Sequence, residues 1–330
     1  MTIRYGIIGC GGIADGSIAP AMARAKDSSL HSVLSRDQAK AERFAQKHGA
    51  TVAYSDLEAF LSDRDLDAVF IATPNGQHAF EAIAAAEAGK HVLVEKPMAT
   101  SSVDCRRMIE ACGQAKVRLM VGYHLRFHPV HREVDRLVRA GHLGQLVTAR
   151  SQFYFRYPTA PPEWRRYKSS AGGWATMDVG THAVDLLRWF GGEVTEVTAY
   201  LSSPRFGYET EDAAHLLVKF ENGGVGILDC STSTYTPKTK LELYGLKGFV
   251  FAAGTLGGTG TGEMDYGDHE STHHFEFQPN DPFQGEIEEF TAAIQEEREP
   301  FVTGLDGLKN LQILEAAYLS AAEGRIVQVR

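Results

Sequence analysis

From Ile3 to about Gly122, short apolar or β-branched runs alternate with longer amphipathic stretches, the pattern of βαβ units around a parallel sheet. Arg4 to Ile8, Leu30 to Leu34, Ala68 to Ala72, His91 to Glu95 and Arg118 to Val121 are the predicted strands. Between them, DQAKAERFAQKHG and NGQHAFEAIAAAEAG have helical spacing and end on Gly49 and Gly89, as helices often do. Right-handed crossovers make this a doubly wound parallel α/β sheet of the Rossmann type, assigned to residues 1–124.

After a helix-like HPVHREVDRLVRAGHLG the rhythm changes. LVTARSQFYFRY, EVTAYLS, DAAHLLVKF, GVGILDCST and KTKLELYG alternate with period two and have few helices between them. That predicts a C-terminal α+β domain over residues 125–330, built on a large, open, mainly antiparallel sheet with one face packed. AGTLGGTGTGEMDYGD is rich in Gly and Thr, lacks a strand-to-helix context, and is read as a mobile loop. GLKNLQILEAAYLSAAEGR has helical spacing and is expected to pack back on the body.

A chain of 330 residues exceeds what one core usually organises, which agrees with two domains. The 43% hydrophobic and 23% charged content is that of a soluble globular protein. A net charge of -9 argues against nucleic acid, which calls for clustered Lys and Arg. MTIRYGIIGCGG turns at once into glycines and is neither a secretory segment nor a membrane span, so a cytoplasmic location and no membrane partner are expected. Cys10, Cys105, Cys112 and Cys230 form no CxxC pair and are read as reduced; Cys105 and Cys112 are assigned no function.

The first chemical signal is Gly9-Cys10-Gly11-Gly12-Ile13-Ala14, a GxGxxA between strand and helix. Gly9 permits the turn, Gly11 admits a pyrophosphate to the backbone, and Ala14 lets the helix close on the strand. A dinucleotide is the implied ligand. Where an NAD-binding domain usually keeps a carboxylate at the end of its second strand, this chain has Ser35 and Arg36. A guanidinium and a hydroxyl suit a 2′-phosphate, so NADP is preferred over NAD. The alternatives are that Asp37 holds the ribose hydroxyl or that Arg36 stacks on adenine. Ala72-Thr73-Pro74-Asn75 with His78, and Glu95-Lys96-Pro97, stand at carboxyl ends of further predicted strands, where such sheets collect ligands.

Together with Met177-Asp178-Val179-Gly180-Thr181-His182 and YHLRFHP, these motifs resemble the Gfo/Idh/MocA family of oxidoreductases, in the same order and over essentially the whole chain. The resemblance implies that Lys96 reaches the reacting hydroxyl or carbonyl, that His182 is proton donor or acceptor, and that Asp178 binds or orients substrate. Cofactor contacts are implied at Gly9, Cys10, Gly11, Gly12, Ile13, Ser35, Arg36, Thr73, Pro74, Asn75, His78, Glu95 and Lys96. Trp164-Arg165 resembles a pair that lies near nicotinamide and substrate in sugar-reducing members, the 1,5-anhydrofructose reductases among them. Gly122 stands where some relatives have Asn, which leaves a backbone contact there.

The same chemistry follows from the residues. Hydride transfer from an alcohol needs a group to take the hydroxyl proton and a cation or donor to stabilise the alkoxide, roles that His182 and Lys96 can divide. Asp178 and His182 are four residues apart, which puts them on one face if a helix starts near Asp178; alternatively Asp178 is an N-cap and His182 part of an amphipathic face. His124, His128 and His131, with His273 and His274, suggest a zinc cluster only weakly, because there is no HExxH and Phe127 to Pro129 breaks the helix. No metal is expected.

The expected activity is hydride transfer between nicotinamide and a sugar, sugar ketone, polyol or vicinal diol. The rival readings are a non-catalytic dinucleotide sensor and a glycosidase that uses NAD as a transient oxidant. EVTAYLS and GVGILDCST carry apolar or Thr residues on both faces, so the second sheet is expected to pair in a homodimer or homotetramer.

Overall fold

The computed structural model describes residues 1–157 and 161–330. Its first strands are β1 (Ile3–Ile8), β2 (Ser28–Leu34), β3 (Val52–Tyr54), β4 (Ala68–Ile71), β5 (His91–Glu95) and β6 (Leu119–Gly122). The helices among them are α1 (Ala19–Met22), α2 (Gln38–His48), α3 (Leu57–Leu61), α4 (His78–Glu87) and α5 (Ser102–Ala115). Among the described residues these strands form a six-stranded parallel sheet in the order β3-β2-β1-β4-β5-β6. The order reverses between β1 and β4, and in such sheets that reversal marks the ligand crevice.

The local reasons are plain. β4 and β6 are buried at every residue, as strands covered on both faces must be. Gly6 lacks a side chain because a β-carbon there would stand 2.4 Å from Phe60 of α3. Asp37 caps α2 by accepting from the Lys40 N–H at 3.1 Å, and the helix stops at Gly49 in the left-handed region at φ 76°. The sequence reading omits β3, whose three half-buried residues show no alternation.

The following elements are α6 (Pro129–Arg139), β7 (Leu146–Tyr154), α7 (Lys168–Ala171), α8 (Thr181–Gly191), β8 (Val194–Ser202), β9 (Ala213–Phe220), β10 (Val225–Ser231), β11 (Lys240–Gly245), β12 (Phe249–Ala253), β13 (Glu263–Gly267) and β14 (Thr272–His274). They are followed by α9 (Pro282–Gln295), α10 (Gly304–Glu323) and β15 (Val327–Gln328). The second sheet has nine strands among the described residues, ordered β14-β13-β12-β11-β7-β10-β9-β8-β15. Its pairings are antiparallel except that of β7 with β10. One face buries Ala149, Leu216, Val218, Leu228 and Leu243, and α8 packs there on β7 and β10. The other face carries Tyr200 (79% exposed) and Leu217 (46% exposed), with Ile227 half-buried beside Leu217. Of the Gly- and Thr-rich stretch expected as a loop, Glu263–Gly267 is instead strand β13, paired with β12. The glycines before it hid a five-residue strand that folds back on the strand preceding it in the chain.

Two compact units result, Met1–His124 with Phe283–Leu308, and Leu125–Pro282 with Lys309–Arg330. The segment 283–308, read in the sequence as part of the second domain, belongs with the first. Phe290 of α9 lies against Tyr5 of β1, ring centroids 6.4 Å apart, and the Tyr5 hydroxyl is 2.8 Å from Thr291 Oγ1. Thr303 pairs with Met120 of β6. At Gly307 a β-carbon would meet Met98 Sδ at 2.8 Å and Val121 Cγ2 at 2.9 Å.

Candidate functional site

In the first unit the chain leaves β1 through Gly9, whose φ of 101° excludes most side chains. A β-carbon at Gly9 would stand 2.9 Å from both Ala72 O and Thr73 Cγ2, so the turn fits tightly against the end of β4. Gly11 and Gly12 differ from it. At Gly12 a β-carbon would meet nothing within 4 Å, and at Gly11 only Ala72 O at 3.9 Å. Their backbone is open to a ligand, and a helical run follows through a π-turn over Ala14–Ile18, with Ala14 fully buried. Turns of this kind aim N–H groups at phosphate. Cys10 is buried and burial pushes its thiol up to about 11, so it serves the turn as a small neutral side chain.

At the end of β2, the Ser35 N–H donates to Tyr54 O at 3.1 Å, and the Asp37 N–H donates to Ser35 Oγ at 3.4 Å. Asp37, whose carboxylate was the alternative ribose reader, is committed to capping α2. Arg36 is exposed, and its charge lowers the proton affinity of Glu81 on α4. Glu81 accepts from the Thr73 hydroxyl at 2.5 Å, and burial pushes its carboxyl up to about 7 against both of those influences.

The loops after β4 and β5 are drawn together by His78. Its Nε2 is 2.9 Å from Thr73 O and its Nδ1 is 3.0 Å from Pro97 O, so the ring faces protein carbonyls, a different partner set from the expected dinucleotide. Asn75 and Glu95 are buried, and Glu95 accepts from the Lys96 N–H at 3.2 Å. Gly122 faces Glu95 across the β5–β6 ladder; a β-carbon there would stand 3.3 Å from Val94 O and 3.5 Å from Glu286 Oε1. Glycine at 122 therefore permits close strand packing.

In the second unit a π-turn over Thr176–Gly180 runs directly into α8. Asp178 thus lies inside the helical run and is not its N-cap. Single π-turns often mark functional sites because they re-aim side chains within a helix. Arg165 reaches Asp178 Oδ2 from Nε at 3.1 Å and from Nη2 at 3.0 Å, and its guanidinium lies 4.3 Å from the centre of the Trp164 ring. Trp164, Arg165 and Asp178 are brought together. His182 follows on α8, 4% exposed, with its ring 6.1 Å from that of Phe153.

Two acidic residues that the sequence reading gave no role fasten this helix. Glu211 is buried, and its Oε1 accepts from the Trp174 N–H at 3.1 Å, the Thr176 N–H at 2.9 Å and the Tyr318 hydroxyl at 2.9 Å. That supplies the acceptor a helix start needs and explains why no capping side chain is required. Asp185 is held by Arg126 at 2.8 and 2.6 Å and by Asn310 at 2.8 Å. The one hint in the sequence was the acidic pair Glu211-Asp212 at the start of an alternating strand.

Two of the histidines considered for metal, His128 and His131, face protein oxygens. His128 Nε2 faces Thr261 O at 3.0 Å, while His131 faces Leu125 O at 2.8 Å and Thr255 Oγ1 at 3.1 Å. Among the described residues no group of three or more His, Cys, Asp or Glu is placed to hold a metal ion.

Residues 3–123 match the family model for the GFO/IDH/MocA oxidoreductase family, NAD-binding Rossmann fold, and residues 131–251 match that for the GFO/IDH/MocA C-terminal domain. D-xylose 1-dehydrogenase (NADP(+)) 2 of Haloferax volcanii is 32% identical, covering 99% of this chain and 100% of its own. 1,5-Anhydro-D-fructose reductase of Ensifer adhaerens is 28% identical, over 99% and 98%. The crystal structure of aldose-aldose oxidoreductase from Caulobacter crescentus complexed with glycerol superposes with a TM-score of 0.92 at 32% identity, covering 99% of this chain and 100% of that one.

Proposed function

The chain belongs to the Gfo/Idh/MocA oxidoreductase family, and we propose that it moves a hydride between NADP, in preference to NAD, and a hydroxyl-bearing carbon of a sugar, sugar ketone, polyol or vicinal diol. The observation that carries this reading is the arrangement at the carboxyl ends of β1, β4 and β5. There the Gly9 turn, tight against Thr73, leads into an open Gly11–Gly12 backbone, and a lysine stands on the loop after β5. Full-length relatives named as a xylose dehydrogenase and an anhydrofructose reductase support the substrate class.

When bound, the nicotinamide supplies the hydride acceptor or donor. The backbone from Gly9 to Ile13 receives the pyrophosphate; Ser35 and Arg36 receive the 2′-phosphate, a role favoured by the use of Asp37 as a cap. Thr73, Pro74, Asn75 and Glu95 line the dinucleotide. In oxidation Lys96 stabilises the developing alkoxide and His182 takes the hydroxyl proton; in reduction His182 returns it. Asp178, oriented by Arg165, accepts hydrogen bonds from neighbouring hydroxyls, and Trp164 offers a flat face to the sugar's C–H surface. The deciding experiment scores aldoses, ketoses, inositols and diols with each dinucleotide by the absorbance of reduced nicotinamide. No turnover across the panel would remove the reading.

Among the described residues no helix is long and apolar enough to cross a membrane. The four cysteines are free and buried, which suits a reducing cytoplasm, where we place the protein. The outer face of the second sheet, with Tyr200, Leu217 and Ile227, supports a homodimer or homotetramer, and light scattering at micromolar concentration tests it.

A further inference from the structure

His78 opens α4 with 1% of its surface exposed, and both ring nitrogens face main-chain carbonyls, Nε2 at 2.9 Å from Thr73 O and Nδ1 at 3.0 Å from Pro97 O. A neutral imidazole has one N–H. It donates to one of these oxygens while its other nitrogen turns a lone pair toward the second; only the doubly protonated ring makes both bonds. The surroundings are divided over that second proton. Burial and the charge of Lys96 oppose it, the carbonyls of Thr73, Pro97 and Met98 favour it, and the balance lies below the ordinary histidine value. Glu81, one turn along α4, is directed to the Thr73 hydroxyl.

The two carbonyls belong to loops that matter for the dinucleotide and for the lysine. Thr73 lies against the Gly9 turn, and Pro97 directly follows Lys96. We propose that His78 takes up a proton from solvent when a dinucleotide binds, changing from a one-bond to a two-bond tie between the Thr73 loop and the loop that carries Lys96. The pyrophosphate brings negative charge to the turn beside Thr73, and nearby negative charge favours the cationic form of a buried imidazole. With both N–H groups present, Thr73 and Pro97 are held at once and, through Pro97, so is the main chain of Lys96; the proton returns to solvent when the dinucleotide leaves. His78 is a positioning residue acting through Lys96. The inference rests on the dinucleotide occupying the Gly9–Gly12 turn.

Calorimetric titration of NADPH into the full chain near neutral pH, repeated in buffers of different ionisation enthalpy, reads the protons taken up. Wild type should exceed His78→Gln by on the order of half a proton per site, and Glu81→Gln should exceed the double variant His78→Gln/Glu81→Gln by the same amount, which removes any uptake by the Glu81 carboxyl from the comparison. Any proton exchange at the 2′-phosphate is common to all four and cancels in the comparison. Equal uptake by wild type and His78→Gln overturns the proposal, as does equal uptake by Glu81→Gln and the double variant, which would put the proton on that carboxyl. If the glutamine variant does not fold, His78→Asn replaces it. In addition, NADPH should slow amide exchange over residues 95–99 more in wild type than in the variant, and equal slowing counts against the tie. Failure of NADPH to bind at all is a separate result that removes the dinucleotide reading itself.

Discussion

Two nitrogens of Arg165, Nε and Nη2, converge on one oxygen of Asp178, and the pair is largely shielded, with side-chain exposures of 18% and 22%. A carboxylate gripped this way has its orientation set before substrate arrives. Arg165→Ala should therefore raise KM for the sugar about tenfold, with little change in dinucleotide affinity, the scale expected for a charged hydrogen bond. In a double-mutant cycle with Asp178→Asn the two should couple by about 1–2 kcal/mol. Strict additivity would mean that Arg165 acts on something other than Asp178.

Lys96→Ala and His182→Ala should each slow turnover by ~10²- to 10⁴-fold and leave NADPH affinity nearly unchanged. On the proposed division of roles at one hydroxyl, the double variant should lose less than the product of the single losses. A Lys96→Ala enzyme within about a factor of two of wild type at saturating substrate would reduce the lysine to a structural or cofactor contact.

Arg36→Ala should abolish the preference for NADPH over NADH, at a loss of roughly 1.5 to 3 kcal/mol in NADPH binding, the range for hydrogen bonds to charged groups. Calorimetry on both dinucleotides decides it. Tighter NADH binding by wild type would show that an acidic group reads the ribose despite the use of Asp37 as a helix cap.

The neighbouring glycines separate fold from function. Gly9→Ala puts a β-carbon against Ala72 O and Thr73 Cγ2 at a left-handed φ, and should cost about 1–3 kcal/mol of stability in urea unfolding. Gly12→Ala adds a β-carbon that meets no protein atom within 4 Å, so its unfolding midpoint should stay close to wild type while NADPH affinity falls. If both variants lose stability alike, the Gly12 backbone is not a ligand surface.

Glu81 provides a pH test of stability. Its carboxyl is raised to about 7 in the folded protein by burial, against an ordinary value near 4.5. The folded state therefore holds more protons across that window, and the stability present at low pH is lost as pH rises, by roughly 3 kcal/mol once both states are ionised. Glu81→Gln should be more stable than wild type above pH ~7, with the difference shrinking toward pH ~5. A difference that does not change with pH would show that the carboxyl does not titrate in this range.

The legible parts of this molecule were those whose causes are local. A glycine turn after an apolar strand, an EKP at a strand end and alternating runs all announce themselves within a few residues. What escaped depends on distant partners. Glu211 gains its role from Trp174, Thr176 and Tyr318, and the last lies 107 residues away. β3 is only three residues long and β13 is mostly polar, and they become strands because β2 and β12 offer them an edge. Asp178 was placed near a helix start, but Glu211 supplies the acceptor, so the helical run begins two residues earlier with a π-turn. The resemblance implies a cofactor contact at His78; the carbonyl partners of its ring, 5 and 19 residues away, are visible only in three dimensions.

The return of residues 283–308 to the first unit sets an order of events during synthesis. When the ribosome has released the six strands of the parallel sheet, Tyr5 still lacks Phe290 and Thr291, and Met120 still lacks Thr303. Those partners emerge only after the whole second sheet through β14 has been made. The dinucleotide-binding half is thus begun first and finished late, and a nascent chain stopped before α9 would expose the apolar surface that Phe290 covers, a surface for chaperones or aggregation. The lysine loop, which leads into the Met98 that Gly307 packs against, would be completed only in the last stretch of translation.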